Sequence, residues 1–324
     1  GPQNMTTQTQ ESRHLQRLLS FGNVELRCID KIGPLVKKQP VIWSGVYDDY
    51  DSMRKSILYA ERSGMDTYTT INPTAKPATN GKIQPFKKTT KDRDIEFIST
   101  IFFDFDPENE TGSPADDHQI NLARCQAEKL AEFLSGEKWG EPLFGFSGNG
   151  AHLMYTTNLE VENVSCLTGL YKALEKRFST DEIIFDVVVR NPARIARLYG
   201  TTNRKGGRRA SCVFSDGFTP GPMVTGLSER LTPTREHRAW VKPPKPESFG
   251  KFIKNLDVVA LFRNSGMYLC EGDGFHHVEC PWASSHTGGS NSASVWEGEW
   301  PQFNCFHSHC DGKNISDVIG YFGE

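Results

Sequence analysis

Two aspartates, Asp104 and Asp106, stand at the end of a strongly apolar segment that reads Ser-Thr-Ile-Phe-Phe-Asp-Phe-Asp-Pro over residues 99–107. Side chains alternate between the two faces of a β-strand, so this spacing predicts that both aspartates share one face with Phe102. Neighbouring carboxylates repel each other unless a cation lies between them, and Mg²⁺ prefers carboxylate oxygens. The pair therefore indicates a divalent metal site for phosphoryl transfer, with an exposed Asp-x-Asp turn as the alternative.

A third carboxylate is offered by Asp186, which follows Phe185 at the edge of another apolar segment. Two-metal nucleotidyl transfer needs such a set, because the ions activate an attacking 3′-hydroxyl and steady the triphosphate charge as pyrophosphate leaves. Local sequence alone favours an ordinary strand-end or capping residue at this position.

A glycine-rich turn motif, Ser147-Gly-Asn-Gly-Ala-His152, lies between two β-prone runs, and its Asn-Gly pair predicts a hairpin. Gly148 and Gly150 would let a phosphate approach the backbone N–H groups, and His152 could donate to a triphosphate oxygen. A plain hairpin with a surface histidine is the alternative, and so short a motif favours it when taken alone.

Seven Arg or Lys and no Asp or Glu occur in residues 187–215. The Asn-Pro pair at residues 191–192 predicts a helix start with Arg194 and Arg197 on one face, followed by a basic, glycine-rich loop over residues 200–209. Such a patch beside an acidic metal site suits a polyanionic substrate, whereas a solvated basic loop is the alternative.

Four of the eight cysteines lie in the last 55 residues, close to several histidines. The spacing Cys280-x5-His286-x18-Cys305-x4-Cys310 suits a tetrahedral structural Zn²⁺, and a module of about 60 residues needs such a staple to fold. A reduced cysteine core is the alternative. Other ligands remain open, namely Cys270, His276, His277, His307 and His309.

The length, composition and net charge of the chain limit the classes of protein to which it can belong. Its 324 residues, 37% of them hydrophobic, allow a core in one large domain or two smaller ones, and a net charge of −3 argues against wholesale nucleic-acid coating. No apolar run is long enough to span a bilayer, and no signal segment follows residues 1–4, which resemble an expression scar. We therefore expect a cytoplasmic protein without membrane contact.

Strands and helices alternate and hairpins occur among them, which favours an α+β fold with a mixed sheet over a doubly wound one. We expect a catalytic domain over residues 1–240, a proline-rich linker and helix start over 241–255, and a helix with a zinc-binding module over 256–324. Residues 74–94 are expected to form a mobile, lysine-rich loop. Helices are predicted over 5–24, 49–61, from about 117, 161–178 and 248–264, and strands over 41–47, 67–71, 142–146 and 151–155.

In this order the motifs resemble those of the archaeo-eukaryotic primase superfamily, most closely its primase-polymerase branch from phages, plasmids and other mobile elements. The family's Asp-hydrophobic-Asp, Ser-x-His-type and hydrophobic-Asp motifs are matched by Asp104-Phe-Asp106, Ser147 to His152, and Phe185-Asp186. The segment 191–206 is similar to an Asn-Pro-Ala-Arg-Ile to Lys-Gly segment of this branch. Residues 235–238, Arg-Glu-His-Arg, resemble its closing basic tetrapeptide.

The resemblance implies an RRM-like mixed sheet with flanking helices and a small C-terminal zinc-binding module. It implies a nucleotidyltransferase, a DNA primase or primase-polymerase, that makes and extends primers from NTPs or dNTPs on single-stranded DNA with Mg²⁺ or Mn²⁺. By family role, Asp104, Asp106 and Asp186 hold these metals and His152 contacts the triphosphate. Further nucleotide contacts are assigned to Ser147, Gly148, Asn149, Gly150, Arg194, Arg197, Asn203 and Lys205.

Many members of that family are fused to a helicase. None is visible in this sequence, so we expect a helicase partner in cis or in trans, and the chain is a candidate fragment of such a fusion. Two other functions stay open. One is a replication-initiator nuclease that uses the same acids, although its histidine-hydrophobic-histidine metal motif is not evident. The other is a non-catalytic module that binds single-stranded nucleic acid.

Overall fold

The structure is a computed structural model that describes residues 8–109, 112–232, 253–272, 274–286, 291–305, 310 and 312–323. These residues belong to two units, 1–234 and 235–324. The predicted linker at 241–247 and the tetrapeptide at 235–238 lie outside the described residues, so the predicted domain boundaries stay a prediction. None of the helices described in these ranges combines the length and the apolar character that crossing a bilayer requires.

The helices of the first unit each bury one apolar face, and they are α1 Gln10–Phe21, α2 Tyr50–Arg62, α3 Asp117–Gly136, α4 Cys166–Phe178 and α5 Gly221–Leu231. Polar caps set where two of them begin. Asp49 accepts a hydrogen bond from the Ser52 N–H at the start of α2, and Asp116 and Gln119 form a capping box on α3. The helix predicted from residue 161 begins later, because residues 161–163 form a separate 3-10 turn.

Two five-stranded sheets form the frame of the first unit. Their strands are β1 Val24–Asp30, β2 Val41–Tyr47, β3 Asp66–Thr70, β4 Gln84–Pro85, β5 Phe97–Pro107, β6 Leu143–Phe146, β7 Ala151–Glu160, β8 Ile183–Phe185, β9 Ile195–Arg197 and β12 Ser211–Val213. The first sheet has the order β4-β2-β1-β3-β9 and the second the order β12-β6-β7-β5-β8, while β10 Thr202–Asn203 and β11 Arg208–Arg209 form a short ribbon. Neighbouring strands within these sheets are antiparallel, and the predicted α+β class is confirmed.

Strand β5 runs through the second sheet and is apolar on both faces. Phe103 and Phe105 pack against Phe185 on the helix-covered face, with ring centroids 5.7 and 5.4 Å apart. Phe102 lies on the other face, edge-on to His152 at 4.8 Å. The alternation predicted from the sequence therefore holds, and it directs Asp104 to the face that carries His152.

The helix predicted from Asn191 is wrong. Val188–Arg190 form a 3-10 turn, Asn191 is extended with φ −68° and ψ 147°, and β9 then pairs with β3 so that Arg197 faces Tyr68. A residue that precedes proline is disfavoured in the α region, and pairing with β3 satisfies the backbone that a helix would have satisfied internally. Arg194 and Arg197 therefore do not share a helix face.

The second unit contains a four-stranded antiparallel sheet in which strands that follow each other in sequence are neighbours, with one described helix before the sheet in sequence and one after it. Val278, Val295 and Phe262 lie in its core. The helix predicted over 248–264 begins at Val258, and residues 248–252 lie outside the described ranges. The elements are α6 Val258–Asn264, β13 Tyr268–Glu271, β14 His276–Glu279, β15 Ser292–Trp296, β16 Gln302–Asn304 and α7 Ile315–Phe322.

Candidate active site and metal centres

The three predicted metal-binding aspartates meet at one end of the second sheet. Asp104 and Asp106 lie near the C-terminal end of β5. Strand β8 pairs with this end, and Phe105 lies opposite Phe185. The N–H of Asp186 donates to the carbonyl oxygen of Asp104 at 3.0 Å. Three residues separated by up to 82 positions in sequence are thus neighbours on adjacent strands.

The charges of these aspartates interact. Asp104 is the main cause that raises the pKa of Asp106 to about 7, and burial adds to the effect. Burial raises the pKa of Asp186, and the Asp104 charge contributes in the same direction. A bound cation would relieve this repulsion. Asp104 Oδ1 is buried and makes no described hydrogen bond, and His152 Nε2 is an ion-pair neighbour at 3.4 Å. The donor set therefore fits a hard divalent ion.

Local hydrogen bonds hold two of the carboxylates in place. Asp186 Oδ1 accepts from the Val188 N–H at 2.7 Å, and a hydrogen bond from Asn149 favours the charged form of Asp106. Among the described residues, the carboxylate oxygens of the three aspartates do not all lie within the 4.8 Å that separates the ligand atoms of the Cys/His group in the second unit.

His152 lies opposite Asp104 in the β5–β7 pair and is buried. Its Nε2 is 3.4 Å from Asp104 Oδ1, and its Nδ1 is 2.8 Å from the Tyr199 hydroxyl. Burial raises the pKa of Tyr199 well above its usual value, so this hydroxyl keeps its proton and can donate to Nδ1. A neutral His152 then carries its proton on Nε2, on the side of the acids.

The predicted hairpin turn over residues 147–150 forms and packs against the acidic strand. Ser147 Oγ accepts from the N–H groups of Asn149 and Gly150, at 3.2 and 2.9 Å. These two N–H groups therefore stabilise the turn itself, and they are not free to bind a phosphate. A Cβ at Gly150 would lie 2.4 Å from Asp106 Oδ1, so the absence of a side chain allows the turn to approach the acid.

The basic loop that follows β9 joins the site through two of its members. Asn203 is buried, donates to the Ser147 carbonyl oxygen at 3.0 Å and accepts from the Lys205 N–H at 3.0 Å. The charge of exposed Lys205 acts to lower the pKa of Asp106, which locates this cation near the acid. Asn203 and Lys205 are therefore grouped with the turn and the aspartates.

The two arginines of the predicted set have different surroundings. Arg194 donates to Asn191 Oδ1 and to the Val188 carbonyl oxygen, and its charge acts to lower the pKa of Asp186. Arg197 is buried in the first sheet, where it forms an ion pair with Asp66 and stacks on Tyr68. Arg194 thus lies beside the acids, whereas Arg197 contributes to the packing of the first sheet.

Cys280, His286, Cys305 and Cys310, the four ligands predicted from sequence, come together in the second unit with their ligand atoms within 4.8 Å of one another. Cys280 Sγ is 3.7 Å from Cys310 Sγ, and His286 Nε2 is 3.3 Å from the same sulfur. Burial raises the pKa of Cys280, so a cation at the centre is what would favour its thiolate. Three sulfurs and one imidazole nitrogen form a group of four ligand atoms that could hold a metal ion.

The rival ligands have other positions. Cys270 is exposed on β13, His276 contacts Tyr268 and Glu297, and His277 packs edge-on against Phe275. His307 and His309 lie outside the described residues.

Sequence reasoning missed Tyr199 and Gly145. Gly145 faces His152 across the β6–β7 pair, and a Cβ there would lie 2.2 Å from the Tyr199 hydroxyl oxygen. A glycine in the middle of an apolar strand was the available signal, because it marks a close approach by another group.

No protein-family model matches the chain, and a search of curated proteins found no match to it. Among solved structures, the chain is similar to a domain described as "Cyanophage S-2L Primase-Polymerase (PrimPol), AEP domain", at 17% identity and a TM-score of 0.41, over 69% of this chain and 97% of that one.

Proposed function

We propose that this chain is a template-directed nucleotidyltransferase, a primase or primase-polymerase that joins nucleotides on single-stranded DNA. The observation that carries the proposal is the convergence of Asp104, Asp106 and Asp186 at one sheet end, with the repulsion that raises the pKa of Asp106 to about 7. The order of motifs that resembles the primase-polymerase branch supports it. The nearby Lys205 supports a substrate that carries negative charge.

In the reaction, a 3′-hydroxyl oxygen forms a bond to the α-phosphorus of an incoming NTP or dNTP, and the bond from that phosphorus to the bridging oxygen breaks as pyrophosphate leaves. Asp104, Asp106 and Asp186 would hold divalent ions, Mg²⁺ or Mn²⁺, which when bound supply positive charge to the triphosphate and acidify the attacking hydroxyl. His152 presents its Nε2 proton to a phosphate oxygen, and Tyr199 keeps that proton on Nε2.

Other residues of the site bind and orient the triphosphate in this proposal. The charge of Lys205 lowers the pKa of Asp106, and the charges of Arg194 and Arg190 lower the pKa of Asp186. Lys205 and Arg194 would balance phosphate charge. The turn is formed by Ser147, Gly148, Asn149 and Gly150, and it holds Asn203 through the Ser147 carbonyl oxygen. Asn203 in turn accepts a hydrogen bond from the Lys205 N–H. A helicase partner stays a prediction.

The Cys/His group would hold a structural Zn²⁺ that staples the second unit. We propose that this unit binds the template strand or an initiating 5′-triphosphate. Its metal and its role can be tested separately from catalysis.

The decisive experiment incubates the protein with single-stranded DNA, labelled NTPs or dNTPs, and Mg²⁺ or Mn²⁺, without a primer. Labelled oligomers are expected with the unchanged protein and absent with an Asp104→Asn/Asp106→Asn double variant that melts normally. Oligomer synthesis by the double variant would contradict the site assignment. Nicking of the template without incorporation would instead support the replication-initiator nuclease, and metal-independent strand binding alone would support the non-catalytic module.

A further inference from the structure

A groove with a volume of about 750 Å³ lies at the outer edge of the first sheet, away from β9. Val41 and Ile42 of β2 form part of its apolar floor, and the segment 86–94 forms a wall beside them, with residues 86–89, 91, 93 and 94 facing the groove. The function proposed above does not use this surface. Residues 74–94 were expected to be a mobile loop, but their contacts give the groove a defined shape.

The groove is strongly basic. Five cations line it against one carboxylate, Asp94, and none of the five forms an ion pair with a described residue. They are Lys76, Lys87, Lys88, Lys91 and Arg93. Asp94 itself accepts a hydrogen bond from the Lys91 N–H at 2.8 Å. Uncompensated cations on one concave surface attract a polyanion.

An aromatic ring stands in this basic groove. Phe86 is 73% exposed and has a φ of +61°, in the left-handed region that bulky residues rarely adopt, while its N–H donates to the Ile42 carbonyl oxygen at 3.2 Å. Neither burial nor a turn requirement favours phenylalanine here. A strained backbone that presents an aromatic ring to solvent is a frequent sign of a binding site, and such rings stack on nucleic-acid bases.

Buried contacts fix the basic wall. The Thr90 N–H donates to Glu25 Oε2 at 2.6 Å, and Glu25 is fully buried on β1. The wall also connects to the catalytic side of the unit, because Asp92 Oδ1 accepts from the Asn191 side chain at 3.0 Å and from the Ala193 N–H at 2.8 Å. Asn191 belongs to the loop that follows Asp186.

We propose that this groove binds a single strand of nucleic acid, with Lys87, Lys88, Lys91 and Arg93 on its phosphates and a base stacked on Phe86. The choice of nucleic acid over another polyanion rests on the proposed function and on the exposed ring. Because Asp92 contacts Asn191 and Ala193, the wall of the groove reaches the loop that follows Asp186. In this proposal the bound nucleic acid runs from the edge of the first sheet toward that loop.

The test measures fluorescence anisotropy of a labelled thymidine oligonucleotide, and of an abasic strand of equal length, over a range of KCl concentrations without triphosphates and without added Mg²⁺ or Mn²⁺. The full chain is compared with Lys87→Ala/Lys88→Ala and with Phe86→Ala. A Lys129→Ala/Lys176→Ala variant removes the same charge from exposed positions on α3 and α4 and is the matched control. Thermal melting confirms that each variant folds.

The double lysine variant is expected to weaken binding of both strands and to reduce the slope of log affinity against log salt by about 1.4, since each phosphate contact on a single strand contributes roughly 0.7. Phe86→Ala is expected to weaken binding of the thymidine strand about tenfold and to leave the abasic strand unaffected. The matched control should bind like the unchanged protein.

An unchanged salt slope in the double lysine variant would overturn the proposal. So would a loss of binding to anionic phospholipid vesicles with no change for the oligonucleotide, because the groove would then serve a membrane surface. Since the assay contains no triphosphate and no added Mg²⁺ or Mn²⁺, absent synthesis with intact groove binding would reject only the proposed catalysis, and synthesis with normal oligonucleotide binding by both groove variants would reject only the groove.

Discussion

The Tyr199 hydroxyl lies 2.8 Å from His152 Nδ1, and it reaches this position because Gly145, which faces His152 across the β6–β7 pair, has no side chain. One glycine therefore makes room for the hydroxyl that contacts the ring of the histidine beside the acids. Three residues from three strands or their ends act together here, although only His152 is expected to touch a substrate.

Replacing Tyr199 by Phe should remove the donor to Nδ1 and let the His152 proton distribute over both ring nitrogens. We expect nucleotide joining to slow by about ten- to a hundredfold, in line with the cost of misplacing a group at a site. Side-chain ¹⁵N NMR should show the tautomer shift without substrate. Gly145→Ala should reproduce both effects by displacing the hydroxyl.

The matched control is Tyr155→Phe, which removes a buried hydroxyl that has no described hydrogen-bond partner. It should change neither the His152 spectrum nor the rate. Unaltered ¹⁵N shifts in Tyr199→Phe would show that the tyrosine does not position the histidine.

Asp106→Asn should stabilise the first unit in EDTA, increasingly as pH rises. The Asp104 charge, with burial as the second cause, raises the pKa of Asp106 from 3.8 to about 7. The folded state therefore keeps a proton that the unfolded chain has already lost, and it loses stability as pH rises between these two values. The shift corresponds to about 4 kcal/mol, which screening at this half-buried site should roughly halve. Urea unfolding at pH 5, 6.5 and 8 measures the difference.

An Asp181→Asn variant at an exposed position should show no such trend. Added Mg²⁺ should stabilise the unchanged protein more than Asp106→Asn. A stability difference that is flat from pH 5 to 8 would mean that Asp104 and Asp106 do not repel each other in solution.

Cys310→Ser should abolish binding of one Zn²⁺ per chain and unfold the second unit while the first unit still melts cooperatively. Its sulfur is close to both Cys280 Sγ and His286 Nε2, so the substitution removes a central ligand. Elemental analysis and limited proteolysis provide the measurements. Cys270→Ser, at an exposed cysteine of β13, should retain the metal. Equal zinc content in the two variants would exclude this ligand set.

Glu25→Gln should destabilise the first unit by about 1 to 3 kcal/mol at pH 7, because an amide cannot accept as a carboxylate does from Arg27, Ser44 and the Thr90 N–H. Burial raises the pKa of Glu25, but Arg27 and Thr90 together outweigh it and lower the pKa below 4.5. The carboxylate therefore contributes stability above about pH 4.5 that is lost as pH falls through the lower folded value. Urea unfolding at pH 7 and pH 4, with exposed Glu128→Gln as control, tests this.

Features set by short-range patterns were predictable from the sequence. The alternation that places Asp104 with Phe102, the turn over 147–150 and the helix near residues 49–61 follow from neighbouring residues. The four Cys/His ligands follow from their spacing along one short module, which had left rival ligands open. Features set by distant partners were not predictable. Arg197 pairs with Asp66, which is 131 positions away. The segment that the Asn-Pro pair predicted as a helix instead forms β9 and pairs with β3. Tyr199 gave no signal of its own, since only the fold shows that Gly145 leaves space for it.

The contact between Gly150 and β5 has a consequence for anyone who re-engineers this chain. The hairpin tip and the acidic strand fit face to face with no space for even a methyl group. Exchanging the tip for one from another protein would therefore succeed only if the donor also carried glycine at this position, or if the strand were transplanted with it. The hairpin tip and the acidic strand should therefore be exchanged together, as one unit.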